Sequence, residues 1–345
     1  MNSIRTKVYS EPIKGFDGIL FIGDLHLASG KVGRRIDDYA AAVLRKLSQA
    51  ARICNERNLF PVGLGDLFHR ARENNLELLA QVMAAFREFK LPPGVLPEML
   101  GGSHDRTESW FTHKDAAYLM ANAGVLNLID QPGKVLSLDI KGTIVNLWAT
   151  PAGFRIPASI AAEPGTRNIM VTHEDFDFNG LYPDGQELKE IEGCDMLVNG
   201  HMHTPCPMVL KGRMACHNPG SVSRVSVDLK KHKPVVSVWT PAHGISLESV
   251  PLEFAEDVFD LTGKEVYAAA PGELKAALPK GLRLSSFASK LRETDTLEAG
   301  RTDDGSVMVE ELEEYFSMFE KPGVLKTFIT SLLEEVVEER QKKAA

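Results

Sequence analysis

The sequence lacks long apolar runs. A membrane-spanning helix needs about 18 or more consecutive apolar residues, and the 345-residue chain has no such stretch. Its first 14 residues are also too polar for a secretory signal peptide. We therefore expect a cytoplasmic protein with no membrane partner.

Cysteine is scarce as well. The four cysteines, Cys54, Cys194, Cys206 and Cys216, show no C-x-x-C spacing. In a cytoplasmic protein, isolated cysteines are typical of reduced, buried thiols rather than disulfides. The fold must then depend on its hydrophobic core, and 345 residues with a hydrophobic fraction of 43% can form one large α/β domain and a smaller one.

Positive charge is in deficit, because the formal net charge is −8. Nonspecific DNA binding relies on lysine and arginine to neutralise phosphates, so this total argues weakly against a nucleic-acid substrate. The count leaves out bound metal ions, however. Three local basic clusters also remain, at residues 31–35, 70–72 and 230–233. Each is interpreted either as solvated surface or as a contact for a polyanion.

Five short segments are built around aspartate or histidine. They are Gly23-Asp24-Leu25-His26, Gly65-Asp66-Leu67-Phe68-His69-Arg70, Gly102-Ser103-His104-Asp105, Val171-Thr172-His173-Glu174 and Gly200-His201-Met202-His203. Carboxylate oxygens combined with neutral imidazoles suit Mn, Fe or Zn better than Mg or Ca. Two such ions close together form a clamp for displacement at phosphorus. The segments therefore predict phosphate-ester hydrolysis with two divalent metal ions, which would be Mn, Fe or Zn.

Each of these segments follows a short apolar run. The runs are residues 19–22, 60–64, 95–100, 168–171 and 196–198. Apolar residues at helical spacing over 36–57 and 76–89 lie between the first three runs, which predicts a βαβαβ arrangement. Ligands bind beyond the carboxyl ends of strands in open α/β sheets, so we expect all five strand ends to converge on one edge.

Later segments alternate like antiparallel strands. They are residues 136–140, 143–148, 207–214, 235–239 and 245–250, and they predict a second sheet packed on the first.

We place a domain boundary after residue 252, with residues 253–345 as a C-terminal extension. Helices are expected there at 307–319 and 324–340. The last would carry an apolar stripe from Val324 to Val337. The stripe is interpreted either as packing on its own domain or as a surface for a second copy of the chain or a partner.

The set and order of the five segments resemble the calcineurin-like metallophosphoesterases, whose pattern runs D-x-H, G-D-x-x, G-N-H-D/E, a lone His and G-H-x-H. The resemblance spans roughly residues 16 to 225. It implies a four-layer α/β/β/α sandwich, with the smaller, mostly helical extension after it. It also implies that a hydroxide shared by two ions attacks phosphorus. The implied ligands are Asp24, His26 and His203 for the first ion, Asp66 as the bridge, and Ser103, His173 and His201 for the second.

Ser103 departs from the family pattern, which has asparagine at this position. A hydroxyl is a shorter and poorer donor to a metal than an amide oxygen, so the second ion should bind more weakly or through a water. Three interpretations stay open: natural variation with water filling the gap, an introduced substitution that lowers activity, and a pseudoenzyme.

By the same resemblance, His104 protonates the leaving alkoxide as general acid and Asp105 orients its imidazole. His69 stands where many phosphatases of the superfamily carry aspartate, and it is expected either to approach the leaving strand or to cap a turn. Arg70 and Arg106, next to two of the segments, are expected to bind substrate.

Two segments resemble the nuclease subunit of the SbcCD-type DNA double-strand-break repair complex. They are Gly-Asp-Leu-Phe-His at residues 65–69 and Asn-Pro-Gly-Ser-Val-Ser-Arg at residues 218–224. The leading hypothesis is thus a Mn-dependent DNA exonuclease or endonuclease, with an SMC-like coiled-coil ATPase as partner or with self-association as a homodimer. The alternatives are a phosphomonoesterase or cyclic-nucleotide phosphodiesterase, and a non-catalytic scaffold for which Ser103 is the only support.

Overall fold

The computed structural model describes residues 8–178, 180 and 185–261. Nearly all of them belong to one unit of the chain, Met1–Phe259, and the second unit, Asp260–Ala345, lies almost wholly outside the described residues. The predicted C-terminal helices and the apolar stripe also lie outside them. The domain boundary after residue 252 therefore stays a prediction.

Fifteen strands and three α-helices make up the described part of the chain. In chain order they are β1 (Ile13–Phe16), β2 (Gly18–Ile22), α1 (Tyr39–Glu56), β3 (Leu59–Gly63), α2 (Leu76–Phe86), β4 (Glu98–Leu100), α3 (Ala116–Asn122), β5 (Asn127–Ile129), β6 (Gly133–Ile140), β7 (Thr143–Thr150), β8 (Arg167–Thr172), β9 (Phe176–Asp177), β10 (Gln186–Glu187), β11 (Met196–Asn199), β12 (Cys206–Lys211), β13 (Met214–Asn218), β14 (Val235–Trp239) and β15 (Glu248–Pro251). Short 3-10 helices cover Val227–Lys231 and Pro241–His243.

The first sheet contains the predicted βαβαβ arrangement, which is confirmed. Its strand order is β15-β14-β2-β3-β4-β5. Strands β2 to β5 run parallel, and β14 pairs antiparallel to β2. Because the parallel strands β2, β3 and β4 are neighbours, the loops that follow them leave the sheet side by side.

Helices α1 and α2 begin at residues with short polar side chains. Asp38 accepts a hydrogen bond from the Ala41 amide at 3.0 Å, and Asn75 accepts one from the Leu78 amide at 2.9 Å. Both side chains satisfy amides that a helix N-terminus leaves without a partner. Helix α1 buries Val43, Leu47 and Ala50 at a spacing of three to four residues, which places one apolar face on the sheet.

The second sheet has the order β1-β6-β7-β8-β11-β13-β12. Two sequence-based expectations about its strands are wrong. The single strand expected at 207–214 is two strands, β12 and β13, joined at Gly212, whose φ of +58° suits a tight turn. The strands expected at 235–239 and 245–250 are β14 and β15, which belong to the first sheet. Alternation shows that a strand exists, but it does not identify its partner.

The predicted two-sheet sandwich is confirmed. Buried side chains of both sheets fill the space between them, among them Phe21, Val62, Ile169 and Val198. In β8 the neighbour Met170 packs in a separate cluster instead, because successive strand residues face opposite sides.

The two outer faces of the sandwich differ. Helices α1, α2 and α3 pack in one hydrophobic cluster on the first sheet. Over the second sheet, the described residues form loops and the short β9–β10 ladder, which contribute Phe176, Phe178, Leu188 and Ile191. In the described part of the chain the fourth layer is therefore not helical.

Two further expectations concern cysteines and membranes. All four cysteines are free thiols, and Cys54, Cys194 and Cys216 are buried, as predicted. Burial raises the pKa of the Cys54 thiol to about 12.

Within the ranges that the structure describes, no helix is long and apolar enough to cross a membrane.

The core between the sheets gives a direct test of the sandwich. Phe60 is fully buried in β3, with its ring centroid 5.3 Å from that of Phe16 in an edge-to-face contact. Phe60→Ala should lower the free energy of unfolding by about 3–5 kcal/mol, because it leaves a cavity. Leu76→Ala, at a side chain that is 81% exposed, should change it by less than about 0.5 kcal/mol. Denaturant unfolding followed by circular dichroism measures both, and equal losses would contradict the assignment of this core.

Candidate metal centre

The five predicted segments meet, but they come from two sheets and not from one edge of a single sheet. Strands β2, β3 and β4 of the first sheet lead into Asp24, Asp66 and Ser103. Strands β8 and β11 of the second sheet lead into His173 and His201. The site therefore lies where carboxyl ends of strands from both sheets approach each other.

A first cluster joins His26, Asp66 and His203, whose ligand-type atoms all lie within 4.8 Å of one another. The Nε2 atoms of His26 and His203 are 2.8 Å apart, and His26 Nε2 is 3.6 Å from Asp66 Oδ2. Burial lowers the pKa of His26 well below its usual value and that of His203 to about 3. Both imidazoles are therefore neutral near pH 7, the form that binds a metal.

A second cluster joins Asp66, His173 and His201 within the same 4.8 Å limit. His173 Nδ1 lies 2.8 Å from the Leu64 carbonyl, so it carries a hydrogen and directs Nε2 toward Asp66 Oδ2 at 3.1 Å. Burial alone would lower the pKa of His173, but the adjacent Asp66 carboxylate raises it to about 10. A proton on Nε2 thus occupies the place next to Asp66 that a cation would take.

Asp66 belongs to both clusters, and its backbone is unusual. Its φ is +48°, and His26 and His201 have φ values of +47° and +69°. Non-glycine residues rarely adopt this left-handed conformation, and when they do they are often found at functional sites. The Asp66 carbonyl accepts hydrogen bonds from the amides of Leu25 and His26, at 3.1 and 2.8 Å. These bonds hold the loops after β2 and β3 together.

Asp24 is fully buried beside the second cluster. Its Oδ1 accepts a hydrogen bond from the His201 amide at 3.1 Å and lies 3.5 Å from His173 Nδ1. Its Oδ2 is buried without a hydrogen-bond partner. Burial raises the pKa of Asp24 to about 6. An unpaired buried carboxylate oxygen is costly unless a cation neutralises it, so this atom fits a metal ligand.

Ser103 lies at the rim of the second cluster. Its Oγ is 3.4 and 3.5 Å from the two carboxylate oxygens of Asp66 and 3.5 Å from His201 Nδ1. These distances are at the long limit for hydrogen bonds. The hydroxyl is therefore placed beside the second cluster without being held tightly by it.

His69 and His104 adjoin the first cluster. Their rings stack with centroids 5.6 Å apart and planes 23° apart, and the His104 ring also meets that of His26 edge-on at 4.8 Å. The ring nitrogens of the three histidines come within 4.8 Å of one another. His104 Nδ1 lies 2.8 Å from the His69 carbonyl. That carbonyl, and not a carboxylate, fixes the orientation of the His104 ring.

The orienting role expected for Asp105 is therefore corrected. Asp105 is fully buried, and its two carboxylate oxygens accept hydrogen bonds from the amides of Phe68 and Gly102, at 3.1 and 3.0 Å. Burial raises its pKa to about 7. Asp105 thus supports the backbone on both sides of the site, since one amide follows β3 and the other follows β4.

The two arginines expected to bind substrate differ in environment. Arg70 is exposed directly after His69. Arg106 is partly buried: its guanidinium donates to the carbonyls of Ser109 and Ala152 and lies 5.8 Å from the centroid of the Phe154 ring. Arg70 is thus the more accessible of the two cations.

Sequence analysis missed several supporting residues. Asn199 Oδ1 accepts from the Thr172 hydroxyl at 2.8 Å and from the Glu174 amide at 3.1 Å, and its amide donates to the Glu174 carbonyl at 2.8 Å. These bonds align the ends of β8 and β11. The signal was the buried asparagine that ends an apolar strand. The Tyr39 hydroxyl, which donates to the His26 carbonyl at 2.9 Å, gave no comparable signal.

The structure therefore brings together all seven predicted metal-ligand side chains, and their assignment as ligands stays a prediction. The donors are carboxylate oxygens and imidazole nitrogens, with one hydroxyl at the rim, and a cation beside Asp66 would take the place of the proton on His173 Nε2. Asp24 Oδ2 is buried without a partner, and Asp66 faces imidazole nitrogens of both clusters. Such a donor set fits two divalent cations that share Asp66.

Glycine at position 102 gives a test in which no predicted ligand residue is itself substituted. A Cβ there would lie 2.1 Å from both the amide nitrogen and Oδ1 of Asp66. Gly102→Ala should therefore displace Asp66, and the purified protein should lose most of its bound divalent metal in elemental analysis. Gly30→Ala is the matched control, since a Cβ at Gly30 meets nothing within 4 Å. Full metal content in a folded Gly102→Ala protein would show that Asp66 does not hold the ions.

Comparisons with known proteins agree with this geometry. The model of the family described as calcineurin-like phosphoesterase matches residues 18–205, a range that contains all five segments. No curated protein matches the sequence.

One solved structure, a 5'-nucleotidase precursor from Thermus thermophilus, aligns over 69% of this chain with 12% identity and a TM-score of 0.39. The aligned part spans 54% of that protein's chain. The likeness is too weak to carry an argument about function. The family match covers more than half of the 345 residues, so the chain belongs to the calcineurin-like phosphoesterase family, whose members are metal-dependent phosphoesterases.

Proposed function

We propose that this phosphoesterase is a Mn-dependent DNA nuclease similar to the nuclease subunit of the SbcCD-type repair complex. The observation that carries the proposal is the stacked pair of His69 and His104 beside the first cluster. Hydrolysis of a phosphodiester in DNA expels a sugar alkoxide, which is a poor leaving group and needs a proton. Two imidazoles beside the residues that would hold the first ion suit this demand.

His104 is the proposed general acid. The His69 carbonyl can only accept a hydrogen bond, so the hydrogen on His104 Nδ1 is committed to it, at 2.8 Å. The other ring nitrogen, Nε2, is then the atom that exchanges a proton with the leaving oxygen. His69 stacks on this ring and is proposed to limit its rotation and to approach the leaving strand, while Arg70 and Arg106 contact the substrate.

Two divalent ions would supply an activated water and neutralise charge on the phosphate. Asp24, His26 and His203 would hold the first ion and Ser103, His173 and His201 the second, with Asp66 between them. Mn suits this mixture of oxygen and nitrogen donors, and Fe or Zn are the nearest alternatives.

The segment 218–224 supports this proposal because it donates hydrogen bonds to the backbone carbonyls of two predicted ligands, Asp24 and His203. The Ser223 amide and hydroxyl donate to the Asp24 carbonyl at 3.3 and 3.2 Å. The Ser221 amide donates to the His203 carbonyl at 3.0 Å. The segment's likeness to the repair nuclease thus concerns residues that position the predicted ligands of the first ion.

We also propose a cytoplasmic location and a partner. By analogy with the repair nuclease, the partner would be an SMC-like coiled-coil ATPase or a second copy of the chain. The stripe between Val324 and Val337 is the proposed contact. Truncation near residue 321, followed by sedimentation and by pull-down with candidate coiled coils, tests this part separately from catalysis.

A second candidate function is hydrolysis of a small phosphomonoester or cyclic nucleotide. The formal net charge of −8 favours it, because a polyanionic duplex is repelled by an acidic protein at long range. It uses the same residues, so only the substrate distinguishes the two functions.

The deciding experiment offers the Mn-loaded full-length chain three substrates. They are linear duplex DNA, a bis-nitrophenyl phosphodiester and a nitrophenyl phosphomonoester, with Asp66→Ala as the control for contaminating nucleases. The proposal expects cleavage of DNA and of the phosphodiester. Preference for the monoester without DNA cleavage would favour the second function. Full metal content with none of the three cleaved would favour the scaffold hypothesis.

Ser103→Asn tests the weaker site. Because the amide oxygen reaches further and donates better than a hydroxyl, Mn affinity at that site should rise about 10-fold, comparable to the 10–100-fold effects of outer metal-site partners. Mn-dependent hydrolysis should rise with it, as measured by calorimetry and initial rates. Ser109→Asn, at an exposed position in the following loop, should change neither. If Ser103→Asn leaves activity unchanged or lowers it, water already fills the gap and the serine is an adapted feature.

His104→Asn tests the general acid. Cleavage of DNA should slow by about 10²–10⁴-fold, because the alkoxide then leaves without a proton, while the nitrophenyl phosphodiester, with its better leaving group, should slow much less. Metal content should stay close to that of the parent, and His113→Asn, at an exposed histidine nearby, serves as control. Equal losses on both substrates would assign His104 a role in binding or structure instead.

A further inference from the structure

A basic cavity lies apart from the metal centre, between helix α1 and the chain after β15. Its volume is about 320 Å³. The charged side chains that line it are Arg35, Asp37, Arg45, Lys46, Arg224 and Glu253. Four of these six are cations, and none of the six belongs to the predicted ligand set. We call this space the basic cavity.

The sequence left two interpretations open for the basic cluster at residues 31–35, solvated surface or a contact for a polyanion, and the structure places Arg35 in the interior. Arg35 is only 4% exposed, Lys46 3% and Arg224 1%. Lys46 lies on the buried face of α1, between Val43 and Ala50. Charged side chains are almost never fully buried unless they are paired, so three buried cations at one place require compensation.

Arg35 and Arg224 are compensated only in part. Arg35 forms a two-point ion pair with Asp37, at 2.7 and 2.6 Å, and donates to the Arg224 carbonyl at 2.7 Å. The Arg224 guanidinium donates to the carbonyls of Lys230, Ala255 and Glu256. Its Nε is buried without a hydrogen-bond partner. Asp37 is the carboxylate that pairs with Arg35, and the carboxylates of Asp37, Glu256 and Asp257 offset part of the charge of Arg224.

Lys46 has no such partner among the described residues: its ammonium makes neither a hydrogen bond nor an ion pair within 4 Å. Burial, together with the positive charges of Arg35 and Arg224, lowers the pKa of Lys46 to about 7. Glu253 is exposed and keeps its hydration. The lysine ammonium is thus a donor without a protein partner at the cavity, and the Arg224 Nε is a second unsatisfied donor, buried in a residue that lines it.

We propose that the basic cavity binds a small phosphoanion, either inorganic phosphate or the phosphate group of a small monoester. Arginine and lysine are the side chains that bind phosphate best. A volume of about 320 Å³ admits such an anion and excludes a nucleic-acid duplex. A bound dianion would neutralise excess charge of Lys46 and Arg224 and accept a hydrogen bond from the Lys46 ammonium. The proposal does not depend on which phosphoester the metal centre cleaves.

The site also connects to the metal centre through the chain. Arg224 directly follows Ser223, whose amide and hydroxyl donate to the Asp24 carbonyl. The same short segment therefore positions a predicted metal ligand with Ser223 and lines the basic cavity with Arg224, the next residue.

Calorimetric titration of the full-length, metal-loaded chain with inorganic phosphate at constant ionic strength tests the proposal. An Asp66→Asn version removes phosphate binding that depends on the metal centre. In both proteins Lys46→Met should weaken phosphate binding at the basic cavity by at least about 10-fold, the effect of losing one charge-assisted hydrogen bond. Lys233→Met, at an exposed lysine, is the matched control. Equal phosphate affinity in Lys46→Met and Lys233→Met would overturn the proposal.

Hydrogen exchange on the Asp66→Asn protein keeps the test decisive if Lys46→Met fails to fold. Phosphate should slow amide exchange several-fold in peptides from α1 and from residues 222–231, and chloride at equal ionic strength should not. Glycerol phosphate and inorganic phosphate are compared in the same way, and the one that protects at lower concentration identifies the source of the anion. No protection by either, or equal protection by chloride, would show that the cavity holds no phosphoanion.

Discussion

The rest of the site depends on the contacts that the buried Asp66 carboxylate makes with the surrounding histidines. Its Oδ2 lies 3.6 Å from His26 Nε2 and 3.1 Å from His173 Nε2, and its Oδ1 accepts the His104 amide at 2.8 Å. Burial alone would raise the pKa of this carboxyl, but the surrounding histidines hold it well below its usual range. The fold thus fixes a buried negative charge between two groups of imidazoles, and its left-handed backbone at φ +48° follows from that placement.

The predicted ligands come from both sheets of the sandwich, so metal binding would also affect how the sheets pack. Asp24 and Asp66 come from the first sheet and His173, His201 and His203 from the second. Any cation held between them also links the sheets. Because a ligand that binds only the folded state stabilises it by RT ln(1 + [L]/Kd), metal binding and sheet packing are thermodynamically coupled. Buried carboxylates such as Asp24, whose pKa burial raises to about 6, are compensated in part by neighbouring donors and would be compensated further by the cation.

Local sequence predicted the strand ends and donor residues well, because these are short-range features. The observed strands before Asp24, Asp66 and His173 end within two residues of the ends that the apolar runs predicted. Partners that are distant in the chain could not be predicted. Alternation in residues 235–239 indicated a strand, yet only the hydrogen bonds to β2 place it in the first sheet. Asp105 pairs with backbone amides, which carry no sequence signal.

The burial of basic residues could likewise not be predicted from local sequence. A cluster such as Lys31-Arg34-Arg35 has the sequence pattern of a solvated surface, but Arg35 is buried against Tyr39 and Phe259, with ring centroids 5.0 and 5.4 Å from its guanidinium carbon. Phe259 lies more than 200 residues further along the chain. The contact between Arg35 and Phe259 therefore depends on tertiary structure alone.

The formal charge of −8 favours a small substrate over a duplex, but it is an incomplete description of the charges that a substrate meets. Asp24, Asp66 and Asp105 are fully buried at the metal centre, where cations would neutralise them. Arg35, Lys46 and Arg224 are buried in a different place, where they act on a confined space and contribute little to the field outside. The long-range field that steers a polyanion depends on the exposed charges that remain. Discrimination between a duplex and a small phosphoester therefore depends on how those exposed charges are distributed around the metal centre as well as on the total.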